Sequence, residues 1–503
     1  MANANQNRAT AALLQKLATR PATQALKAAV ARDDSEQVLR QIELLVNRIF
    51  CEPLNTAVAF ADSVLDETCQ WLGSQRLQAK LGVKTTELAK NAAGEEQVVC
   101  IVSRLQRSGG HTVVLADILS TPALSGCNVT VLLTGVGGTT SQDTLNVRFG
   151  HLPHVRFERA PRFSRTGKLD WLQRRLRELQ PNDVWLVNHH QDSTAVAAVQ
   201  PDQGYTLHYL HHGDHHLCLG VLLSYGEHYD LHPMGINNCR NALGITRNRY
   251  LPLTAPDQKL LRDQNTTNQK LNSLALVTCT VGGANKIAVP YWLSYLDVVP
   301  LVLEQTNGRH IHIGKLGWVY RQRMAYSLKR KGIKPERFLY ISHVDSVSGA
   351  LTAHSVDLYL ASFPYGGAKT MVEVMSSSVP MAVHVHATKQ FMSALDLAPH
   401  GSLLWSSPHE LVDWLSKQDR PSLQKLGLQA RNSYEDNHRQ ALFAAALSNK
   451  TSTNMKNYHA DGSNKQLTSE LSVAYEISTQ FTMTNLIRRK IRFYGRFIHS
   501  LIC

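Results

Sequence analysis

The sequence predicts an α/β chain made of two units in tandem, each a parallel sheet with helices on both faces. Two observations carry this expectation. From Glu96 onward, short apolar runs of strand length alternate with helical patterns, as in sheets whose parallel strands are joined by helical crossovers. The alternation also runs twice, either side of the polar stretch Pro256–Asn272. A length of 503 residues agrees, since two or more domains are expected at that size. The predicted division is a helical region over 1–95, a first α/β unit over 96–255, a hinge over 256–272, a second α/β unit over 273–448, a flexible linker over 449–483 and a basic amphipathic helix over 484–503.

In the first region, Leu13, Leu14, Leu17, then Val38, Leu39, Ile42, Leu45, Val46 and Ile49 recur at helical spacing. Pro21 and Asp33-Asp34-Ser35 punctuate them. A helical subdomain for packing or partner contact is expected there. In the first α/β unit, Val98–Val102 reads as a strand, 104–112 as a loop and Val113–Leu119 as a helix. Asn128–Leu133 (strand), Leu169–Leu179 (helix), Val184–Asn188 (strand), Thr194–Val199 (helix) and Thr206–His211 (strand) follow. In the second unit the expected strands are Leu274–Cys279, His310–Ile313, Phe338–Ile341, Val356–Leu360 and Met381–Val385, with a helix over Tyr291–Val302. Residues 407–448 read as helices opened by a Ser-Pro cap.

Composition narrows the partners. A net charge of +14 implies an anionic one: a nucleotide diphosphate, nucleic acid or an acidic membrane surface. Aromatic residues are only 7% and no basic–aromatic repeat occurs, so nucleic acid is not expected. The eight cysteines are scattered without a C-x-x-C pair, which favours free thiols in a reducing compartment. Residues 1–20 lack the long apolar core of a secretory signal, and no apolar run is long enough to span a bilayer. A cytoplasmic protein is expected. In the tail, Ile487, Ile491, Tyr494, Ile498 and Leu501 share a helical face flanked by Arg488, Arg489, Lys490, Arg492 and Arg496. Such a helix suits the inner face of an anionic membrane, or packing on the protein with its basic face solvated.

Chemistry concentrates at the strand ends, where ligands of parallel sheets bind. The richest stretch is Ser362-Phe363-Pro364-Tyr365-Gly366-Gly367, between a strand and a helix. Glycines there let backbone N–H groups approach a phosphate, which the helix dipole favours. Lys369, Thr370 and Glu373 fall in the first turns of that helix, in reach of a nucleotide diphosphate and ribose. Lys286 and Lys315 also follow strands of this unit, and fixed cations stabilise a departing diphosphate without a metal. In the first unit, Ser108-Gly109-Gly110-His111, His189-His190-Gln191-Asp192 and His211-His212-Gly213-Asp214-His215-His216 stand at strand ends. Their His and Asp side chains are candidate general bases. The hydrolase pattern H-x-H-x-D-H is matched by His212, Asp214 and His215, but its first His falls on Leu210. No resident metal or cofactor is therefore expected, and His190, His211 and His216 are read as structural.

The run F-P-Y-G-G-x-x-T-x-x-E-V-M-x-x-x-V-P over 363–380, in the second of two tandem Rossmann-like domains, resembles the donor half of GT-B glycosyltransferases. The O-GlcNAc transferases and the related bacterial cytoplasmic glucosyltransferases are the group it is most similar to. The likeness is good over 310–390 and looser over 98–250. It implies transfer of a sugar from a nucleotide donor, UDP-linked in that group, in a cleft between the two units. A hydroxyl or other acceptor in polysaccharide, glycolipid or protein is expected, though the resemblance does not itself imply a protein. It also implies that Glu373 binds the ribose, and that Gly366, Gly367 and Thr370 hold the diphosphate with Lys286. Lys315, Phe363 and Lys369 belong to the same donor set, and His343 lies near the base. Asp214, His215 or His111 would face acceptor and sugar. Tyr365 stands where retaining members carry a second Glu, which leans to inversion. Ala368-Lys369 replaces the His-Thr pair of the O-GlcNAc transferases, and no 34-residue repeat precedes the first unit. A nucleotide-sugar epimerase of this fold and a non-catalytic partner subunit remain as alternatives.

Overall fold

The computed structural model describes residues 2–19, 23–50, 59–81, 96–107, 109–161, 164–258, 275–289, 291–386 and 390–448. Ser108, most of the expected hinge, the linker over 449–483 and the basic tail over 484–503 lie outside the described residues.

The strands of the first sheet are β1 (Gln97–Val102), β2 (Asn128–Leu133), β3 (Val155–Arg159), β4 (Asp183–Val187), β5 (Thr206–His211), β6 (Glu227–Asp230) and β7 (Asn248–Tyr250). All are parallel and lie in the order β3-β2-β1-β4-β5-β6-β7. The second sheet holds β8 (Val277–Val281), β9 (Arg309–Ile313), β10 (Phe338–Ile341), β11 (Leu358–Leu360), β12 (Met381–His384) and β13 (Leu403–Trp405). It too is parallel, in the order β10-β9-β8-β11-β12-β13. In each sheet the chain builds outward from the first strand, then returns to that strand's other side. Each sheet therefore has one point where the strand order reverses, between β1 and β4 and between β8 and β11, and a crevice opens there beyond the strand ends.

Strand β1 shows why its sequence reads as an unbroken apolar run. Successive side chains point to opposite faces. Val98, Cys100 and Val102 join one core, and Val99 and Ile101 join another. The second of these cores is closed by the N-terminal helices Ala2–Ala18, Gln24–Ala31, Ser35–Phe50 and Ser63–Leu81, which supply Leu17, Leu26, Leu39, Ile42 and Leu65. The predicted helical region is thus a covering layer of the first sheet. Its seams are polar as well: Gln70 Nε2 donates to Val196 O at 2.7 Å, Gln173 Nε2 donates to Gly73 O at 2.8 Å, and Asp66 accepts from the amides of Gly220 and Leu222.

Several elements differ from expectation. The helix expected from Val113 starts at Gly110, so His111 lies in its first turn rather than in a loop. The helix expected over Tyr291–Val302 runs Tyr295–Thr306, because the Ser294 hydroxyl accepts from Leu296 N and sets the start. Strands β3, β6, β7 and β13 were not expected. β3 alternates apolar residues with Arg156, Glu158 and Arg159, and β6 reads Glu-His-Tyr-Asp, so neither presents an apolar run. The Ser407 cap is as expected: its hydroxyl accepts from Glu410 N and Glu410 returns the bond.

The last helices return to the first unit. From helix Arg420–Asn437, the Tyr434 hydroxyl donates to Ala255 O at 2.7 Å and Arg431 makes a two-pronged pair with Asp257 at 2.7 Å. His438 Nδ1 donates to Leu253 O, and Thr254 Oγ1 donates to His438 O, both at 2.7 Å.

Candidate active site

Three of the sequence-expected donor residues, Lys286, Gly366 and Gly367, meet where the second sheet reverses. The short helix Ala284–Ile287 after β8 carries Lys286, and the loop after β11 carries Gly366 and Gly367. Lys286 Nζ donates to Gly366 O at 2.9 Å. A Cβ on Gly367 would stand 3.0 Å from that nitrogen. Gly367 is also the N-cap of helix Ala368–Ser376 and offers no side chain to its free amides. A cation, a bare turn and a helix N-terminus therefore converge, which is the chemistry of an anion site. Burial holds the Lys286 ammonium down at about 8. Gly366 is glycine for a packing reason: its Cβ would lie 2.6 Å from Ser393 O.

Glu373, one turn further along the same helix, is partly exposed. Burial, with Asp117 adding to it and Lys369 and Arg148 opposing, raises its carboxyl to about 7. Thr370 flanks the turn, with its side chain near the position a Gly367 Cβ would take. Lys315 and His343 are exposed at the ends of β9 and β10. His343 lies 3.3 Å from Asp345, which pairs at 2.9 Å with Arg107 of the first unit.

Two of the expected donor residues are engaged otherwise. The Lys369 ammonium pairs with Asp117 and donates to Thr254 O, both in the first unit. Its charge is committed to the contact between units instead of facing the turn. Phe363 is 1% exposed and packs among Tyr295, His384 and Trp405. Its ring supports the turn from beneath because the strand end it belongs to is core.

The first sheet reverses between β1 and β4, and the histidine loops gather there. The His111 Nε2–H donates to Arg104 O at 2.8 Å and lies 3.1 Å from His189 Nε2. The His212 ring is 5.4 Å from His111 and 6.2 Å from His189, centre to centre. Burial is the largest influence on each of these rings and pushes its pKa down. Burial, then His111 and Arg104, push His189 down to about 3, and burial with His215 and Arg104 does the same to His190. Burial first, then neighbouring histidines, hold His212 and His216 well below the usual range. Asp192, expected among the candidate bases, organises the floor. It accepts from Ser103 Oγ and Thr134 Oγ1 at 2.6 Å and from Ala195 N at 2.9 Å, tying the ends of β1, β2 and β4.

Asp214 and His215 are arranged differently. His215 is 41% exposed, and its Nδ1 lies 3.5 Å from the buried Asp214 carboxylate. The other Asp214 oxygen has no hydrogen-bond partner among the described residues. It faces Gly235, where a Cβ would stand 2.6 Å away. Burial works to raise the Asp214 pKa, but His232 and His215 outweigh it and hold the carboxyl below its usual range. Burial likewise opposes charge on His232, yet Asp214 and Asp396 raise it to about 9. An accessible imidazole backed by a buried carboxylate is the arrangement a general base needs.

Residues 390–397 join the two halves. Gly366 N donates to Met392 O at 2.6 Å, and Asp396 accepts from Met234 N at 3.0 Å beside His232 at 3.4 Å. Phe60, Met234, Phe391 and Met392 form one apolar cluster against Tyr365. His232, Asp396, Asp117 and Arg107 were not singled out in the sequence. His232 and its partner lie at elements too short to show a period; only the Leu-His-Pro sequence marks a strand end before a helix.

Solved structures similar to this chain share its fold. It aligns with Anabaena HepE in complex with UDP at TM-score 0.51 and with HepE in complex with UDP and glucose at 0.50. Both alignments have 13% identity and cover 70% of this chain and 98% of HepE. An O-GlcNAc transferase of Thermobaculum terrenum aligns over 93% of this chain and 89% of its own at 14% identity and TM-score 0.49. No protein-family model and no curated protein matches the sequence. The architecture is thus the GT-B fold expected from the sequence: two Rossmann-like domains with a helical layer at the N-terminus.

Proposed function

We propose, from this GT-B fold, that the chain is a glycosyltransferase. It moves a sugar from a nucleotide-diphosphate donor, UDP-linked, to a hydroxyl of a glycan, a glycolipid or a protein. The observation that carries the reading is that the complementary halves of this chemistry stand at or beside the two strand-order reversals. One has Lys286 over the Gly366-Gly367 turn at a helix N-terminus; beside the other, after the neighbouring strand β5, stands His215 backed by Asp214. The UDP bound by HepE supports the choice of nucleotide.

In the Mechanism this implies, the Lys286 ammonium and the amides at Ala368–Thr370 take the diphosphate, and Glu373 takes the ribose hydroxyls. Lys315 and His343 stand at the nucleotide end. The leaving diphosphate gains negative charge as the glycosidic bond breaks, and a fixed cation and helix dipole lower that barrier without a divalent ion. His215 accepts the proton of the acceptor hydroxyl, with Asp214 holding the imidazolium. His111 serves as a positioning residue through its tie to His189. Tyr365 in place of a second carboxylate supports single displacement with inversion. Among the described residues no helix is long and apolar enough to cross a membrane. Contact with an anionic membrane surface through residues 484–503 is part of the proposal.

Incubation with a set of nucleotide sugars, read by thermal shift, tests it, since a true donor stabilises the fold it binds. Glu373→Ala is expected to raise the donor KM about tenfold to a hundredfold, the worth of hydrogen bonds to a charged group. His215→Ala is expected to lower kcat about a hundredfold or more with donor KM unchanged. Conversion of the donor with no acceptor present would point to an epimerase instead, and no binding of UDP at all to a partner subunit.

A further inference from the structure

We propose that the first domain holds a structural zinc ion between His211, His228, Asp230 and Cys239. His211 ends β5, His228 and Asp230 lie in β6, and Cys239 lies on helix Pro233–Asn241. His211 and Asp230 face each other in the β5–β6 register. All four are buried, and one donor atom from each converges on a common point.

The six distances among those atoms carry the inference. His211 Nδ1 is 2.9 Å from Asp230 Oδ1 and 3.3 Å from His228 Nε2. His228 Nε2 is 3.0 Å from Asp230 Oδ1. Cys239 Sγ is 3.5 Å from His211 Nδ1, 3.7 Å from His228 Nε2 and 3.3 Å from Asp230 Oδ1. Zinc bonds of about 2.0–2.2 Å to nitrogen or oxygen and about 2.3 Å to sulfur give a tetrahedron with edges of about 3.3–3.7 Å. The observed edges approach that figure, and the two shortest are the histidine–carboxylate pairs. Hydrogen bonding alone accounts only for the three edges that end on the carboxylate oxygen. The other three, between two ring nitrogens and a sulfur that all reach that one oxygen, measure 3.3–3.7 Å, the edges of a tetrahedron closed around a cation that uses all four atoms at once.

The surroundings fit a metal site. Asp230 Oδ2 accepts from Asn248 Nδ2 at 2.7 Å, and Asn248 is fixed in turn by Arg240, so the carboxylate is oriented from outside. The other ring nitrogen of His211 has no partner among the described residues, so the ring's polar tie runs through this cluster. Four protein ligands leave no open position, which marks a structural site, and a mix of thiolate, imidazole and carboxylate in a tetrahedron selects zinc. The ion would fasten β5, β6 and helix Pro233–Asn241, the three elements that present Asp214, His215 and His232.

Metal content of the full chain, purified without a histidine tag, tests this by plasma mass spectrometry. One zinc per chain is expected, lost in His228→Gln and Cys239→Ser and kept in Cys279→Ser, a buried cysteine of the other domain. As a check independent of variant folding, cobalt offered to chelator-treated wild-type chain should give the absorption of a tetrahedral site with a thiolate charge-transfer band. A wild-type chain that carries no zinc and takes up neither zinc nor cobalt overturns the proposal, as does zinc retained in both ligand variants. Neither readout depends on sugar transfer.

Discussion

At the scale of single residues, the buried ammonium of Lys286 gives the clearest pH signature. Its folded pKa, about 8, lies below the ordinary lysine value. The unfolded chain binds the proton more tightly, so this group costs stability at neutral pH, and that cost fades as pH rises from about 8 through the ordinary value. Binding of a diphosphate behaves oppositely, because it needs the charge. Donor affinity is expected to fall as pH rises past about 8, and Lys286→Met should flatten that fall, as titration calorimetry across pH would show. Glu373 behaves conversely. Its carboxyl, raised to about 7, favours the folded state at low pH, and that contribution is lost as pH climbs through about 7. Site legibility is also decided here. The juxtaposition of Lys286 with the Gly366-Gly367 turn at a helix start could be anticipated, because a glycine turn between strand and helix needs only local order. The pairing of Lys369 with Asp117 was not legible, because the two lie 252 positions apart and no local pattern announces it.

At the scale of elements, the helix Ser63–Leu81 shows how tightly the N-terminal layer is keyed to the sheet domain. A Cβ at Gly73 would stand 1.9 Å from Ala197 O, backbone against backbone. Gly73→Ala is therefore expected to destabilise the fold by about 1–3 kcal/mol, measured by urea unfolding. Gly366→Ala meets Ser393 O in the same way and should lose stability and donor binding together. Strand legibility follows from burial. β1, β2 and β5 sit inside the sheet and spell long apolar or aromatic runs, so their bounds were readable within a residue or two. β3, β7 and β13 are at or near edges, and β6 spends two of its four positions on His228 and Asp230, so these strands left no period to find.

At the scale of the whole molecule, the two sheet domains are held by polar ties spaced along their contact. Lys369 with Asp117 is one of the buried ones, at 11% and 16% side-chain exposure. Lys369→Met strands a buried carboxylate and is expected to cost about 3–5 kcal/mol, while Lys369→Met with Asp117→Leu should recover most of it. Denaturation of the single and double variants checks this. The tandem arrangement was legible because the β–α alternation restarts after a polar join. How the domains face each other was not, since that rests on pairs distant in sequence. The return of the last helices to residues 253–257 has a further consequence. The second domain grips the outgoing end of the first through Tyr434, Arg431 and His438, so the covalent connection is not what keeps the two together. A chain cut by an inserted protease site within 259–274 should elute as one particle, and two separately expressed pieces meeting at that cut should reassemble into a working whole.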